Sequence, residues 1–123
     1  MSDCEVCLYA DFDGNVEFFN KAHHVAAKEH RCHECRQPIP IGTVYEYVSG
    51  KFDGDFWTQK TCLICAEIAD TFYCEGRVYG NLWEDMYEVM SELNTSCLAR
   101  LKTPAAKAEL QRRWIEWEKG RHA

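Results

Sequence analysis

The chain has 123 residues, with 20 acidic and 14 basic side chains and a formal charge of −6. At 46% hydrophobic and 13% aromatic residues it is too rich in core formers for a disordered chain. Its length fits a single domain, and its charge disfavours sequence-blind binding to DNA, which needs a basic surface.

The first stretch, residues 1–31, opens on a polar, acidic start with neither the basic nor the apolar part of a secretory signal. No apolar run approaches the about 20 residues of a membrane helix. The expected setting is the cytoplasm, away from membranes, where thiols stay reduced. The pair Cys4-Glu5-Val6-Cys7 comes first, then a turn-like string at 11–15. Val16, Phe18 and Phe19 predict a short strand or hairpin. Residues 22–30, rich in Ala and His, read as a linker or one turn of helix.

The second stretch, residues 32–75, is bracketed by cysteines. Pro38, Pro40 and Gly42 punctuate its start. Residues 43–49 are β-branched and aromatic and predict a strand. Residues 50–54 predict a turn and 55–61 the returning strand. From Cys62 the composition becomes helical.

The third stretch, residues 76–123, predicts two helices. Asn81 caps the first, whose apolar stripe is Leu82, Met86, Val89, Met90, Leu93 and Cys97. Thr103-Pro104 starts the second, with Leu110, Trp114 and Trp117 as its stripe and Gly120 at its end. Charge is uneven. Residues 1–99 hold 17 acids and 7 bases, whereas residues 100–123 hold 3 acids and 7 bases. Arg112 and Arg113 on this last helix belong either to a solvated face or, with Trp114 and Trp117, to a docking patch for a partner.

Eight cysteines dominate the chemistry. Cys32-His33-Glu34-Cys35 and Cys62-Leu63-Ile64-Cys65 are two CxxC pairs separated by the predicted hairpin. A CxxC turn aims two sulfurs at one ion, and two such turns complete the tetrahedral set that Zn²⁺ prefers. The hairpin returns the chain to its start, and the second pair sits where the positive end of a helix dipole favours thiolates. These four residues predict one zinc site.

The order of turn, hairpin and helix resembles the treble-clef zinc finger, with Cys32, Cys35, Cys62 and Cys65 in the ligand positions. The predicted fold is accordingly α+β, with a small zinc-stabilised, treble-clef-like β-hairpin/helix centre and C-terminal α-helices. The motifs around residues 28–86, including Gly50-Lys51-Phe52-Asp53-Gly54 and Leu82-Trp83-Glu84-Asp85, are similar to small uncharacterised zinc-binding proteins of tailed phages and prophages. That resemblance implies a viral origin, and a host-cell cytoplasmic setting, but no activity.

A second zinc site is expected from Cys4, Cys7, Cys74 and His30, with His23 or His24 as other candidates for the fourth ligand. Cys97 lies on an apolar stripe and reads as a small core residue. The string at 11–15 fails as a calcium loop, because Val16 stands where glycine is needed and Ala22 where glutamate is needed. A treble clef also serves as a nuclease scaffold, but such a site needs histidine in the hairpin and His or Asn in the helix. This chain offers Glu67 and Asp70 instead.

The sequence therefore predicts a non-enzymatic structural-zinc protein that binds another protein. A phage-encoded inhibitor of a host defence or nucleic-acid-processing complex is its narrowest form. A nucleic-acid-binding module using the basic last helix is the alternative, and an HNH-like nuclease the weaker third. One Zn²⁺ held by four thiolates takes the formal charge from −6 to about −8.

Overall fold

The structure is a computed structural model and describes residues 4–9, 16–52 and 54–121. The turn expected at 11–15 lies outside the described residues. The fold is α+β, with small antiparallel sheets and C-terminal helices. The chain divides into two compact units, Ala10–Ala66 and a second made of Met1–Tyr9 with Glu67–Ala123. The N-terminal CxxC pair, read from sequence with residues 1–31, thus belongs with the helices.

The sheet unit is built on β1 (Val16–Val25), β4 (Val44–Phe52) and β5 (Asp55–Cys62), in the order β1-β4-β5. Both pairings are antiparallel. Two-residue strands β2 (His30–Arg31) and β3 (Pro38–Ile39) pair separately and flank the first CxxC turn. The β4–β5 turn is tighter than the expected 50–54. Phe52 pairs with Asp55, and Gly54 takes a φ of 85° that only glycine adopts cheaply. Gly50 and Lys51 continue the ladder, so Gly50 is a strand residue, buried opposite Trp57.

Residues 22–25 are neither linker nor helix. They extend β1, pairing Ala22 with Tyr47 and Val25 with Val44. Ladder hydrogen bonds and ring packing override the weak local preference here. His24 stacks on Tyr47 at 4.9 Å and meets Tyr45 edge-on at 6.0 Å. Ile39, Tyr45, Val48 and Ala66 are among the residues buried in this unit.

The helical unit holds most of helix α1 (Leu63–Phe72), then α2 (Leu82–Glu88), a 3₁₀ turn (Met90–Glu92), α3 (Thr95–Ala99) and α4 (Pro104–Arg121). The continuous helix expected from Asn81 to Cys97 is broken. Leu93 is extended at φ −69° and ψ 147°, and the Asn94 side chain accepts the Cys97 N–H at 3.2 Å, capping a new helix. Asparagine's affinity for free backbone N–H groups favours this restart over continuation. The apolar stripe survives the break, because Leu82, Met86, Met90, Leu93 and Cys97 are all buried. Each large side chain buried there contributes about 1.5–3 kcal/mol.

Helix α4 starts as predicted. The Thr103 hydroxyl accepts the Ala106 N–H at 3.2 Å, and Pro104 takes the first helical position. The helix continues through Gly120 to Arg121. Ala106 and Leu110 are fully buried, while Trp114 and Trp117 are only half-buried.

Glu67 on α1 secures this start from outside. Its carboxylate accepts the Lys102 N–H at 2.6 Å, the Thr103 N–H at 3.0 Å and the Thr103 hydroxyl at 2.7 Å. A negative charge at a helix N-terminus also suits the helix dipole. Partial burial pushes the Glu67 carboxyl upward, but the bonds from Thr103 and Lys102 win and hold it below the usual glutamate value.

Candidate metal centre

The first CxxC turn is shaped by its own backbone. The Arg36 N–H donates to the Cys32 carbonyl at 2.9 Å, and the Cys32 N–H donates to the Gln37 carbonyl at 2.9 Å. Closing so tight a loop puts Arg36 at φ 66°, a left-handed conformation that costs a non-glycine residue about 1 kcal/mol or more. The Arg31 guanidinium donates to the Arg36 carbonyl at 2.9 Å and braces it.

His33, between the two cysteines, ties this turn to β5. Its N–H donates to the Lys60 carbonyl at 2.8 Å, and its Nδ1 accepts the Lys60 N–H at 3.2 Å. The first pair is thereby pinned two residues before the second pair begins. Sequence reasoning did not single out His33. Its only signal was its place inside a CxxC turn.

Cys62 ends β5 immediately before α1, and Cys65 lies in the first turn of that helix. The Cys65 N–H donates to the Cys62 sulfur at 3.4 Å, so the sulfur occupies the place of a helix cap. The Cys32 sulfur accepts two more N–H groups, from Glu34 and Cys62, each at 3.4 Å. Such donors stabilise thiolate charge and orient sulfur ligands.

The sulfurs of Cys32, Cys35, Cys62 and Cys65 all lie within 4.8 Å of one another. Cys35 and Cys62 are separated by 4.0 Å, twice the length of a disulfide bond. A Zn–S bond of about 2.3 Å in a tetrahedron implies sulfur separations of about 3.8 Å. The four sulfurs therefore need to close by no more than about 1 Å around one ion. The donor set, its spacing and its N–H···S bonds fit a metal ion of zinc's preferences. Cys32 and Cys65 are buried, which keeps the site away from bulk water.

Titration of the four thiols follows from their crowding. Hydrogen bonds from Cys35, Cys62 and Cys65 hold Cys32 far below the usual thiol range. Cys35 is pushed up by Cys32, but bonds from Cys62 and Cys65 bring it down to about 7. Cys62 and Cys65 are pushed far up, chiefly by their hydrogen bonds to Cys32 and Cys35, with burial and the Cys32 charge adding to the shift. Four thiolates this close repel one another, and a dication bound among them would offset that repulsion.

The remaining cysteines correct the expected second site. Cys4 is bonded to Cys97 and Cys7 to Cys74, with Cα separations of 4.9 and 5.5 Å that suit disulfides. Of the expected set Cys4, Cys7, Cys74 and His30, the three cysteines are thus held in disulfides of the helical unit. His30 belongs to the sheet unit, where its ring packs on Tyr45 at 5.3 Å. Cys97 is buried as expected, but as half of a disulfide rather than as a free thiol.

Two of the expected partner-binding residues, Arg112 and Arg113, make contacts within the chain. Arg112 meets Glu109 at 2.7 Å and Glu116 at 2.9 Å. Arg113 meets Glu109 at 2.7 Å, donates to the Tyr87 hydroxyl at 3.0 Å and lies 3.8 Å over the Trp83 ring. Arg112 and Arg113 thus meet carboxylates of their own helix, at the i,i+3 and i,i+4 spacings that suit such pairs.

No family profile matches the chain, and no match was found among curated proteins or among solved structures. Among the described residues, no helix is long and apolar enough to cross a membrane.

Proposed function

We propose that this is a structural-zinc protein in which Cys32, Cys35, Cys62 and Cys65 bind one Zn²⁺ and organise a treble-clef-like unit of turn, hairpin and helix. The observation that carries the reading is the convergence of four sulfurs from two CxxC pairs to within 4.8 Å. Four protein ligands close the coordination shell, and a closed shell leaves no position for a substrate or water. The ion then supports folding rather than catalysis. Purified protein is expected to carry zinc, and a chelator is expected to lower its thermal midpoint. Metal-free protein that melts at the same temperature would sink the reading.

We further propose that the protein acts by binding another protein. Support comes from an exposed apolar cluster on the sheet unit. Val25 and Val44 face each other across β1 and β4 and are 65% and 40% exposed. Ile41, at 70% exposure, lies in the same corner, where Gly42 and Thr43 hydrogen-bond with Ala26. Exposed apolar clusters are a mark of binding surfaces. Replacing Val25 and Ile41 by aspartate is expected to abolish capture of a stoichiometric partner while leaving zinc content unchanged. Undiminished capture would count against this surface. The narrower form, a phage-encoded inhibitor of a host complex, rests on the sequence resemblance alone. The nucleic-acid alternative rests on α4, whose Arg112 and Arg113 already face carboxylates.

A further inference from the structure

The eight cysteines fall into two groups of four, and both groups start from a CxxC pair. In the helical unit, Cys4 and Cys7 lie on the N-terminal segment, Cys74 follows α1, and Cys97 lies in α3. Forces other than the sulfur bonds bring these segments together. The Leu8 N–H donates to the Phe72 carbonyl at 2.7 Å, and Leu8 bridges to Tyr73 in parallel register. Val6 and Leu8 are buried in the same unit.

Arg100 links the N-terminal segment around Cys4 to the end of α1. It stands three residues after Cys97. Its Nη1 donates to the Val6 carbonyl at 2.8 Å and to the Cys4 sulfur at 3.5 Å. Its Nη2 donates to the carbonyl of Thr71, three residues before Cys74, at 2.8 Å. One guanidinium therefore touches the first pair and the segment leading into the second. A fixed positive charge against a cysteine sulfur favours the thiolate, the form in which cysteine binds metal.

We propose that Cys4, Cys7, Cys74 and Cys97 form a second zinc site when reduced, and that the two disulfides are its oxidised form. Cys97 takes the place in the ligand set that sequence reasoning gave to His30. The inference rests on the helical unit alone and stands apart from the first site. The chemistry balances with a small monothiol as reductant. Each disulfide is reduced by two monothiols, which supply the two electrons and two protons and leave as one small-molecule disulfide, yielding two cysteine thiols. Zn²⁺ then displaces the protons of four cysteine thiols into solvent and binds four thiolates. The small-molecule disulfide, in excess, oxidises the four thiolates back to two protein disulfides, returns as monothiol and releases the ion.

The test is metal content of the full chain, purified under a thiol reductant in zinc-containing buffer, then again after oxidation. About two zinc ions per chain are expected in the reduced form and about one after oxidation. Peptide mapping of the oxidised form should recover Cys4 linked to Cys97 and Cys7 linked to Cys74. The double variant Cys4→Ser with Cys7→Ser should lose one ion when reduced, and Cys32→Ser with Cys35→Ser should lose the other. One ion in the reduced wild type, lost only in the Cys32/Cys35 variant, overturns the second site and leaves the first standing. One ion lost only in the Cys4/Cys7 variant does the reverse, and no zinc at all overturns both. Where a variant does not fold, alkylation of the reduced, zinc-loaded wild type decides. Protection of all eight thiols supports the second site, and free reaction of four overturns it.

Discussion

The two cysteine groups start from the same local device and close it differently. In the sheet unit both halves are CxxC pairs, and the hairpin between them returns the chain to its start, so four sulfurs converge without bonding one another. In the helical unit only one half is a CxxC pair. Its partners arrive singly, after α1 and from α3, at separations of 67 and 93 residues. The first arrangement is fixed by short-range geometry. The second requires α1 and α3 to bring Cys74 and Cys97 to the N-terminal segment. A local cluster is suited to building a fold around an ion, whereas a long-range one staples a fold that its apolar core already defines.

The sharpest way to break this comparison is to remove metal while keeping the disulfides. In small zinc domains metal binding carries about 10–16 kcal/mol of apparent free energy, more than most domains possess in stability. Chelation under non-reducing conditions is expected to abolish the near-ultraviolet signal and amide protection of β4 and β5. Amide protection in α2 and α4 should persist. Protection of the hairpin unchanged by a chelator would show that the sheet unit needs no ion.

The converse treatment is smaller in effect. Losing a disulfide that closes 67 or 93 residues should cost about 2–5 kcal/mol. Cys7→Ser is expected to lower the denaturation midpoint of the helical unit in non-reducing, zinc-free buffer by that amount. A change below about 1 kcal/mol would mean that the apolar core alone fixes the N-terminal segment.

How much of this was legible in the sequence follows the same division. Cys32, Cys35, Cys62 and Cys65 announce themselves because CxxC spacing is itself the geometry. The hairpin between them was legible from its β-branched and aromatic residues, although Gly50 was mistaken for part of the turn. Cys97 was legible only as apolar and helical, since nothing local says which distant sulfur it meets. His30 was a reasonable ligand by type, but pairing with β3 fixes it in the sheet unit. The break at Leu93 was hidden by a stripe whose residues remain buried on both sides of it. Arg100 carried no signal at all, because its role is to donate to the Val6 and Thr71 carbonyls, which no sequence pattern advertises.

Glu67 offers a test within the helical unit, next in size. Its carboxyl lies below the ordinary value in the folded chain, so it adds stability that is present above the unfolded value and is lost as pH falls through the folded one. Glu67→Gln is expected to cost on the order of 1 kcal/mol at neutral pH, an amount limited by its exposure to solvent. The loss should shrink as pH drops below the ordinary glutamate range. A cost independent of pH would show that shape, not charge, holds the start of α4.

The smallest effect concerns the basic face of α4 and bears on the nucleic-acid alternative. Arg112 is half-exposed and faces Glu109 and Glu116 on neighbouring turns. Exposed pairs of this kind contribute about 0.3–0.5 kcal/mol each, so Arg112→Ala should shift stability by less than about 1 kcal/mol. Were α4 a phosphate-binding face, this arginine would have to exchange two carboxylates for phosphates. Its removal would then weaken binding and reduce the dependence on salt concentration by about one phosphate contact. The ion pairs predict neither effect, and mobility-shift titrations of wild type and Arg112→Ala on DNA and RNA at low salt should show no binding by either. Binding that weakens in the variant would move the function from a protein partner to a nucleic acid.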